Sequence, residues 1–382
     1  MSLDDARQNS DSRMPARLHP FQEALLIQCY SDEALDVARL ARRDNAGLVI
    51  TARKGNFRAT DAVSRVYQAA RHLREHNSFR QPLLLDAARY AGANRVAARA
   101  PFNNTWIRDQ RNLGLPVLTD SGYVGEGDEA GLGDILRRAA DLKDAIALLP
   151  LHISWLRSPA ALDTLLSAVE QAGVPIAVIL EHDKDPLGLK NMVRSLLRLL
   201  NCRVPVMLLR CDVSALGALC MGALAAAVGT STSLRHLYPM KDGGGGGGHD
   251  PQIAAIVKEC LAYISVDKIA LAAQADPDDG LWRCACEACH SRPLGQLAIH
   301  PWPEQERLAF EHSLEVLLDL RDELLPHGST KAARTESWRA KCWNAQVRHY
   351  EVENNTDKWE PPPFLGGWLK ALEPATLQER VR

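Results

Sequence analysis

Short, almost purely apolar runs return along this chain at a nearly constant interval. From residue 47 they read GLVITA (47–52), PLLLDA (82–87), PVLTDSG (116–122), AIALLPLH (145–152), PIAVILEHD (175–183), PVMLLRCD (205–212) and ALAAAVGTS (223–231), with YISVDKIALA (263–272) as an eighth. Continuous apolar and β-branched runs of this length are the pattern of strands buried on both faces. Between them lie segments such as DAVSRVYQAARHLREH and GLKNMVRSLLRLLN, whose apolar residues fall at helical spacing. The first six runs recur roughly every 30–35 residues, the size of one strand–helix unit. Such a repeat predicts an α/β fold with parallel strands and, most economically, a (β/α)8 TIM barrel over residues 19–275. A doubly wound open sheet is the competing architecture. Its dinucleotide-binding version has no support, because no GxGxxG follows the first strand.

Outside the repeat the chain changes character. Residues 1–18 mix acids, bases and small polar residues, and are expected to form a disordered leader rather than a signal peptide. KDGGGGGGHD (241–250) is expected to be a flexible loop, since six consecutive glycines hold no fixed shape and lack phosphate-loop spacing. EQERLAFEHSLEVLLDLRDELL, from 304, reads as one long amphipathic helix within a separate helical subdomain over 276–328. The tail, 329–382, carries Lys331, Arg334, Arg339, Lys341 and Arg348 against one nearby acid, and holds four of the eight tryptophans. Two readings of it stand: a basic surface that contacts phosphates and stacks bases, or a solvated helix with core tryptophans.

Composition narrows the class. At 46% hydrophobic and 24% charged residues the chain can bury a full core. A net charge of −2 gives no global attraction to nucleic acid or an anionic membrane. No apolar run reaches the ~18 residues of a membrane span, and the most apolar stretch, ALGALCMGALAAAVG (215–229), is too short. Nine cysteines, an odd number without a secretory signal, argue against disulfides and for a cytoplasmic location.

Three of those cysteines, Cys284, Cys286 and Cys289, are spaced C-x-C-x2-C. Thiolates so close together can reach one zinc ion at about 2.3 Å, and a fourth ligand closes the tetrahedron. His290 is adjacent but awkwardly placed. His312, 23 residues after Cys289 on the long helix, is the better candidate. Redox chemistry is the weaker alternative, because a strand–CxxC–helix context is missing. A closed Cys3His site is structural and does not activate water.

If the repeat is a barrel, chemistry belongs at the carboxyl ends of its strands. The polar residues there are Asp86 with Arg89, Asp120, His152, Glu181 with His182 and Asp183, Asp212, and Thr230 to Ser233. Ion pairing with Arg89, Arg210 and Arg235 is the bland account of the acids. A barrel hydrolase or lyase working through Asp86, Asp120, His152, His182 and Asp212 is another.

The cysteine spacing with its later histidine, the acidic lead-in ADPDDGLWRCACEACHSRPLGQL and the helix EHSLEVLLDLRDEL together resemble the tRNA-guanine transglycosylase family, specifically over about residues 270–325. The resemblance implies a zinc-stabilised barrel that exchanges guanine for a 7-deazaguanine base in tRNA, or in DNA among related enzymes, through a covalent ribosyl–enzyme intermediate. It suggests a homodimer or a partner subunit, and no membrane. TDSGYV matches the family's Asp-Ser-Gly-Gly turn with Asp120, Ser121 and Gly122, with tyrosine in place of the second glycine. Asp86 is a rival from the preceding strand. Base exchange needs a carboxylate nucleophile and a second acid, so the candidate catalytic residues are Asp86, Asp120 and Asp212. Arg89, Ser121, Gly122, His152 and His182 are the candidates for substrate binding. The family's nucleophile follows the seventh strand, where this chain reads VGTSTSLRHLYP without a carboxylate. Asp212, at the end of the sixth predicted strand, is a substitute. The other outcome is a non-catalytic, zinc-containing binding subunit or scaffold of the same fold.

Overall fold

The computed structural model describes residues 14–53, 59–93, 95–240, 252–356 and 359–373. The chain packs as two compact units, one of residues 1–186 and 194–240, the other of 187–193 and 241–382.

Eight strands form the sheet of the first unit: β1 (Ala24–Tyr30), β2 (Ala46–Thr51), β3 (Leu83–Asp86), β4 (Val117–Leu118), β5 (Ala145–His152), β6 (Ile176–Glu181), β7 (Val206–Cys211) and β8 (Ala225–Gly229). They lie in the order β3-β2-β1-β8-β7-β6-β5-β4, and every ladder is parallel. The sheet therefore curls until its two ends, β3 and β4, are neighbours, giving a nearly closed, TIM-like barrel. Among the described residues no strand ladder joins β3 to β4. The gap is taken by the loop around Ala97, which bridges to Tyr123. Tyr123 N–H donates to the Val96 carbonyl at 2.7 Å and Ala98 N–H to the Tyr123 carbonyl at 3.0 Å.

The helices that follow these strands are α1 (Ala34–Leu40), α2 (Ala59–Glu75), α3 (Asn104–Asn112), α4 (Glu129–Asp141), α5 (Ser154–Arg157), α6 (Pro159–Ala172), α7 (Met192–Leu200) and α8 (Ser214–Cys220). They cover the outer face of the sheet, which is why the strands read as unbroken apolar runs rather than alternating ones. Inside the barrel, Ala24, Leu26, Val49, Leu84, Leu118, Ile146, Leu148, Ala177, Ile179, Met207, Leu209, Ala225 and Ala227 form one buried cluster. The next inward position along several strands is polar: Gln28, Thr51, Asp86 and Glu181 are all buried.

The structure differs from several expectations drawn from the sequence. Residues 263–272 are not a barrel strand: Ala262–Ser265 pairs antiparallel in a separate two-stranded sheet, and Val266–Ala275 is helical. Val266, Ile269 and Ala272, the buried residues of that helix, sit three apart, a period the strand reading overlooked. The missing eighth strand is β1, before the first run counted, and the predicted strands therefore each move up one place. The leader is also shorter than expected, because Ala16–Phe21 forms a 3-10 helix with Leu18 and Phe21 buried. Residues 1–13 and the glycine-rich 241–250 segment lie outside the described residues.

The second unit holds the hairpin β9 (Ala254–Val257) and β10 (Ala262–Ser265), then α9 (Val266–Ala275), α10 (Trp302–Leu324), α11 (Lys331–Glu353) and α12 (Pro363–Ala371). The expected barrel boundary at 275 thus falls inside this unit, since residues 252–275 pack with its later helices. Trp338, Trp359 and Trp368 are fully buried, whereas Trp343 is exposed. Trp338 meets Trp368 edge-on at 5.7 Å, as Trp282 meets Trp359 at 5.8 Å, the favoured geometry for aromatic pairs. The basic residues of α11 are engaged within the unit: Arg339 with Glu336, Lys341 with Glu323, and Arg348 with Asp279 and Glu351. Among the described residues no helix is long and apolar enough to cross a membrane.

Candidate metal centre and barrel mouth

Cys284, Cys286, Cys289 and His312 come together in the second unit, one donor atom from each lying within 4.8 Å of all the others. Cysteine and histidine arrive from different directions. The thiols sit on the loop between two 3-10 turns, Gly280–Trp282 and Leu294–Ile299. His312 projects from the buried side of α10 beside Leu308, Ala309 and Val316. Its Nδ1 lies 3.4 Å from the Sγ of Cys284, 3.4 Å from that of Cys286 and 3.2 Å from that of Cys289. One ring nitrogen cannot hydrogen-bond three sulfurs at once. The edge of a tetrahedron with metal–sulfur bonds of about 2.3 Å and metal–nitrogen bonds of about 2.0 Å is roughly 3.5 Å, so a shared cation explains the spacing.

The surrounding residues fit that reading. The other ring nitrogen, Nε2, donates to the Ile256 carbonyl on β9 at 2.8 Å, which fixes the ring and the tautomer that leaves Nδ1 free to bind a metal. Glu315, one turn on from His312 and buried, accepts from the Glu287 N–H at 2.7 Å and the Ala288 N–H at 3.4 Å, tying down the loop that carries the thiols. Without a cation the cluster is electrostatically frustrated. Bonding to Cys286 and Cys289 pulls the Cys284 thiol far below its usual range, and the contacts of Cys289 with Cys284 and Cys286 push its own thiol far above it. Burial opposes charge on His312, yet its bonds to Cys284 and Cys286 hold its pKa up at about 10. Three thiols and one imidazole are a donor set that can complete a tetrahedron around a metal ion. Replacing Glu315 by alanine is expected to weaken the affinity of the four-residue set for a metal ion about 10- to 100-fold, read by titration against a chromophoric chelator; unchanged affinity would remove Glu315 from that role.

The other candidates gather at the carboxyl end of the barrel, where most of them are already occupied. Asp86, at the end of β3, has a fully buried side chain. Its Oδ2 accepts from Tyr90 Oη at 2.6 Å, Gln28 Nε2 at 3.2 Å and Thr51 Oγ1 at 3.3 Å, and its Oδ1 from the Ala88 N–H at 2.8 Å. Arg210 Nη2 stands 3.9 Å away. Arg210 reaches inward because β7 shifts register between Leu208 and Cys211 and its own φ is +49°, a left-handed backbone that costs energy and marks a built feature. Its N–H donates to Gln28 Oε1 at 2.8 Å and its guanidinium lies 5.1 Å over the Tyr90 ring. Burial drives the Tyr90 phenol well above its ordinary pKa.

Asp120 and Glu181 repeat the arrangement. Arg89 Nη1 donates to Asp120 Oδ2 at 2.5 Å, and the Asn103 N–H reaches both carboxylate oxygens at 3.0 and 3.1 Å. Burial nevertheless raises the Asp120 carboxyl above its usual range. Glu181 is gripped by Arg95 and Tyr123, whose side chains stack with the guanidinium 3.6 Å over the ring. Ser121 is buried and shares a hydrogen bond with Thr119. Gly122 is required by packing: a Cβ there would stand 2.1 Å from the Ala97 carbonyl oxygen. Arg89 is thus an ion-pair partner of Asp120, and Ser121 and Gly122 are packed into the wall.

Other polar groups lie around the same rim. Asp212 is half-buried after β7, with Oδ1 accepting the Val213 N–H at 2.7 Å. His182 has Nδ1 at 3.1 Å from Asp183. His236 is buried, its Nε2 has no partner among the described residues, and its ring lies 4.2 Å from Tyr238. Burial lowers the His236 pKa while Asp212 pulls the other way. His152, at the end of β5, shares its Nδ1 with Ser154. The VGTSTSLRHLYP segment begins in β8 and runs beyond it, and Asp212 is the carboxylate that comes directly after the seventh strand.

Sequence reasoning named Arg210 as an ion-pair partner, the role it takes with Asp86, but did not single out Gln28, Thr51, Tyr90, Arg95 or His236 as working parts. A signal existed for the first: Gln28 interrupts the otherwise apolar ALLIQCY run of β1.

Comparison with known proteins adds little. No protein-family model matches the sequence, and no curated protein does. Among solved structures, the enoyl reductase domain of MlnA from the macrolactin biosynthesis cluster of Bacillus amyloliquefaciens is 11% identical and covers 94% of this chain and 95% of its own, with a TM-score of 0.30. So loose a superposition transfers nothing to this chain.

Proposed function

We propose that this chain is a zinc-containing, transglycosylase-like barrel that binds nucleic acid or a purine base without exchanging the base: a binding subunit rather than an enzyme. One observation carries the reading. The buried carboxylates at the barrel mouth, Asp86, Asp120 and Glu181, are each matched by an arginine of the same unit, Arg210, Arg89 and Arg95 respectively. A carboxylate paired and hydrogen-bonded in this way is a weaker nucleophile towards C1′ of a ribose, because fixed donors and a neighbouring guanidinium already stabilise its charge. The zinc would be held by Cys284, Cys286, Cys289 and His312, where it supplies fold stability.

A second reading is favoured by Asp212. It is the half-exposed carboxylate of the rim, and it influences the charge on His236, a neutral imidazole with a free nitrogen. That pair has the makings of a nucleophile and a proton carrier.

One preparation separates the two. Zinc content, retention of bulk tRNA and DNA, and labelled-guanine exchange into each would be measured together. The binding-subunit reading expects one zinc per chain, retention of at least one nucleic acid, and no exchange. Exchange that disappears in Asp212→Asn would establish the second reading instead. Failure to bind tRNA, DNA and free guanine would remove both.

A further inference from the structure

Separate from the buried mouth network, a cavity of about 420 Å³ opens beside the carboxyl end of β5, lined by Glu126, His152, Ile153, Ser154, Arg157 and Ser158. Its size is that of a small-molecule site. Its walls are held in place from behind: the indole N–H of the buried Trp155 donates to the Gly125 carbonyl at 2.8 Å, pinning the loop that carries Glu126 to α5. Ser158 is spoken for, since its hydroxyl caps α6 by accepting the Ala161 N–H at 3.4 Å.

The remaining polar groups are unspent and differ in kind. The Ser154 N–H donates to His152 Nδ1 at 3.3 Å, and the Ser154 hydroxyl lies 2.8 Å from the same nitrogen. Nδ1 is therefore the acceptor, and the proton of the neutral ring sits on Nε2, which is left to donate. The side chains of Arg157 and Glu126 are exposed, and no other described residue engages either of them. The cavity thus offers two donor groups, an imidazole N–H and a guanidinium, together with one carboxylate that only accepts. A guanidinium and an N–H match the oxygens of a phosphate or carboxylate. The Glu126 carboxylate matches an amine or another N–H donor.

We propose that this cavity is a binding site for a small metabolite that carries an anionic group, taken by Arg157 and His152, and an amino group, taken by Glu126. The cavity shares His152 with the rim, but Glu126 and Arg157, which line it as well, take no part in either reading of base exchange.

Equilibrium dialysis or calorimetry on the full-length protein tests it with three probes: AMP, which carries both groups, adenosine, which lacks the phosphate, and inorganic phosphate alone. AMP is expected to bind about tenfold or more tightly than either fragment, in line with the strength of charge-assisted hydrogen bonds. Arg157→Gln should weaken AMP and phosphate but spare adenosine, whereas Glu126→Gln should weaken AMP and adenosine but spare phosphate. Both substitutions are at exposed side chains, so folding is preserved and a circular dichroism spectrum verifies it. No AMP binding at millimolar concentration, or AMP binding that neither substitution changes, overturns the proposal.

Discussion

Replacing Cys286 with serine is expected to unfold the segment around residues 280–325 and to release the metal, while the barrel unit keeps its protease resistance. Stability in this segment is concentrated at a single site. Cys286 and Cys289 belong to the same buried cluster as Trp282, Leu297, Leu308 and Ala309, and the loop that carries them contains no α-helix or ladder of its own. Structural zinc in small modules supplies on the order of 10 kcal/mol of apparent folding free energy. Removing one of three thiolates abolishes most of that, and it leaves the buried His312 facing the two remaining thiols without a cation. Limited proteolysis with mass-spectrometric mapping, alongside zinc analysis, reads the result. A serine variant that keeps wild-type resistance across 280–325 would show that the cluster is not what holds this segment.

A smaller but still large loss is expected from Asp86→Ala, in the barrel and without any metal involved. The substitution strands Arg210, whose side chain is 6% exposed, with no counter-charge, and leaves Tyr90, Gln28 and Thr51 without their shared acceptor. Breaking a buried ion pair from one side costs about 3–5 kcal/mol. Asp212→Asn, at the same rim, should stay within about 0.5 kcal/mol of wild type, as surface changes do. Denaturant midpoints at constant m-value compare them directly. If both variants lose equally little, Asp86 is not a structural keystone, and the mouth carboxylates are not committed to their arginines.

Much of this fold was legible because parallel strands buried on both faces write themselves as apolar runs. The runs at 47, 82, 145, 175 and 205 each became a strand within a residue or two. The misreadings were local. β1 lies next to the leader and carries Gln28 in its middle, so it looked less like a core strand than its neighbours, yet that glutamine links Thr51, Asp86 and Arg210. The 263–272 run contains both a short strand and the first turns of a helix, and apolarity alone does not separate them. The Cys3His set was readable because ligand spacing is a local property joined to one helix face. Arg89 and Arg210 were expected as partners of the acids and pair with Asp120 and Asp86, but the Arg95 pairing was not readable, because Arg95 reaches Glu181 across 86 residues of sequence.

The seam between β3 and β4 has a meaning of its own. Most barrels of this kind are hoops, closed by backbone all the way round. This one is closed by a latch, the short loop at Val96–Ala98 that sits against Tyr123. The same loop carries Arg95, and Tyr123 and Arg95 both hold Glu181 on β6. The residues that hold Glu181 are thus the same ones that close the wall, so the seam and the mouth carboxylate share one set of contacts.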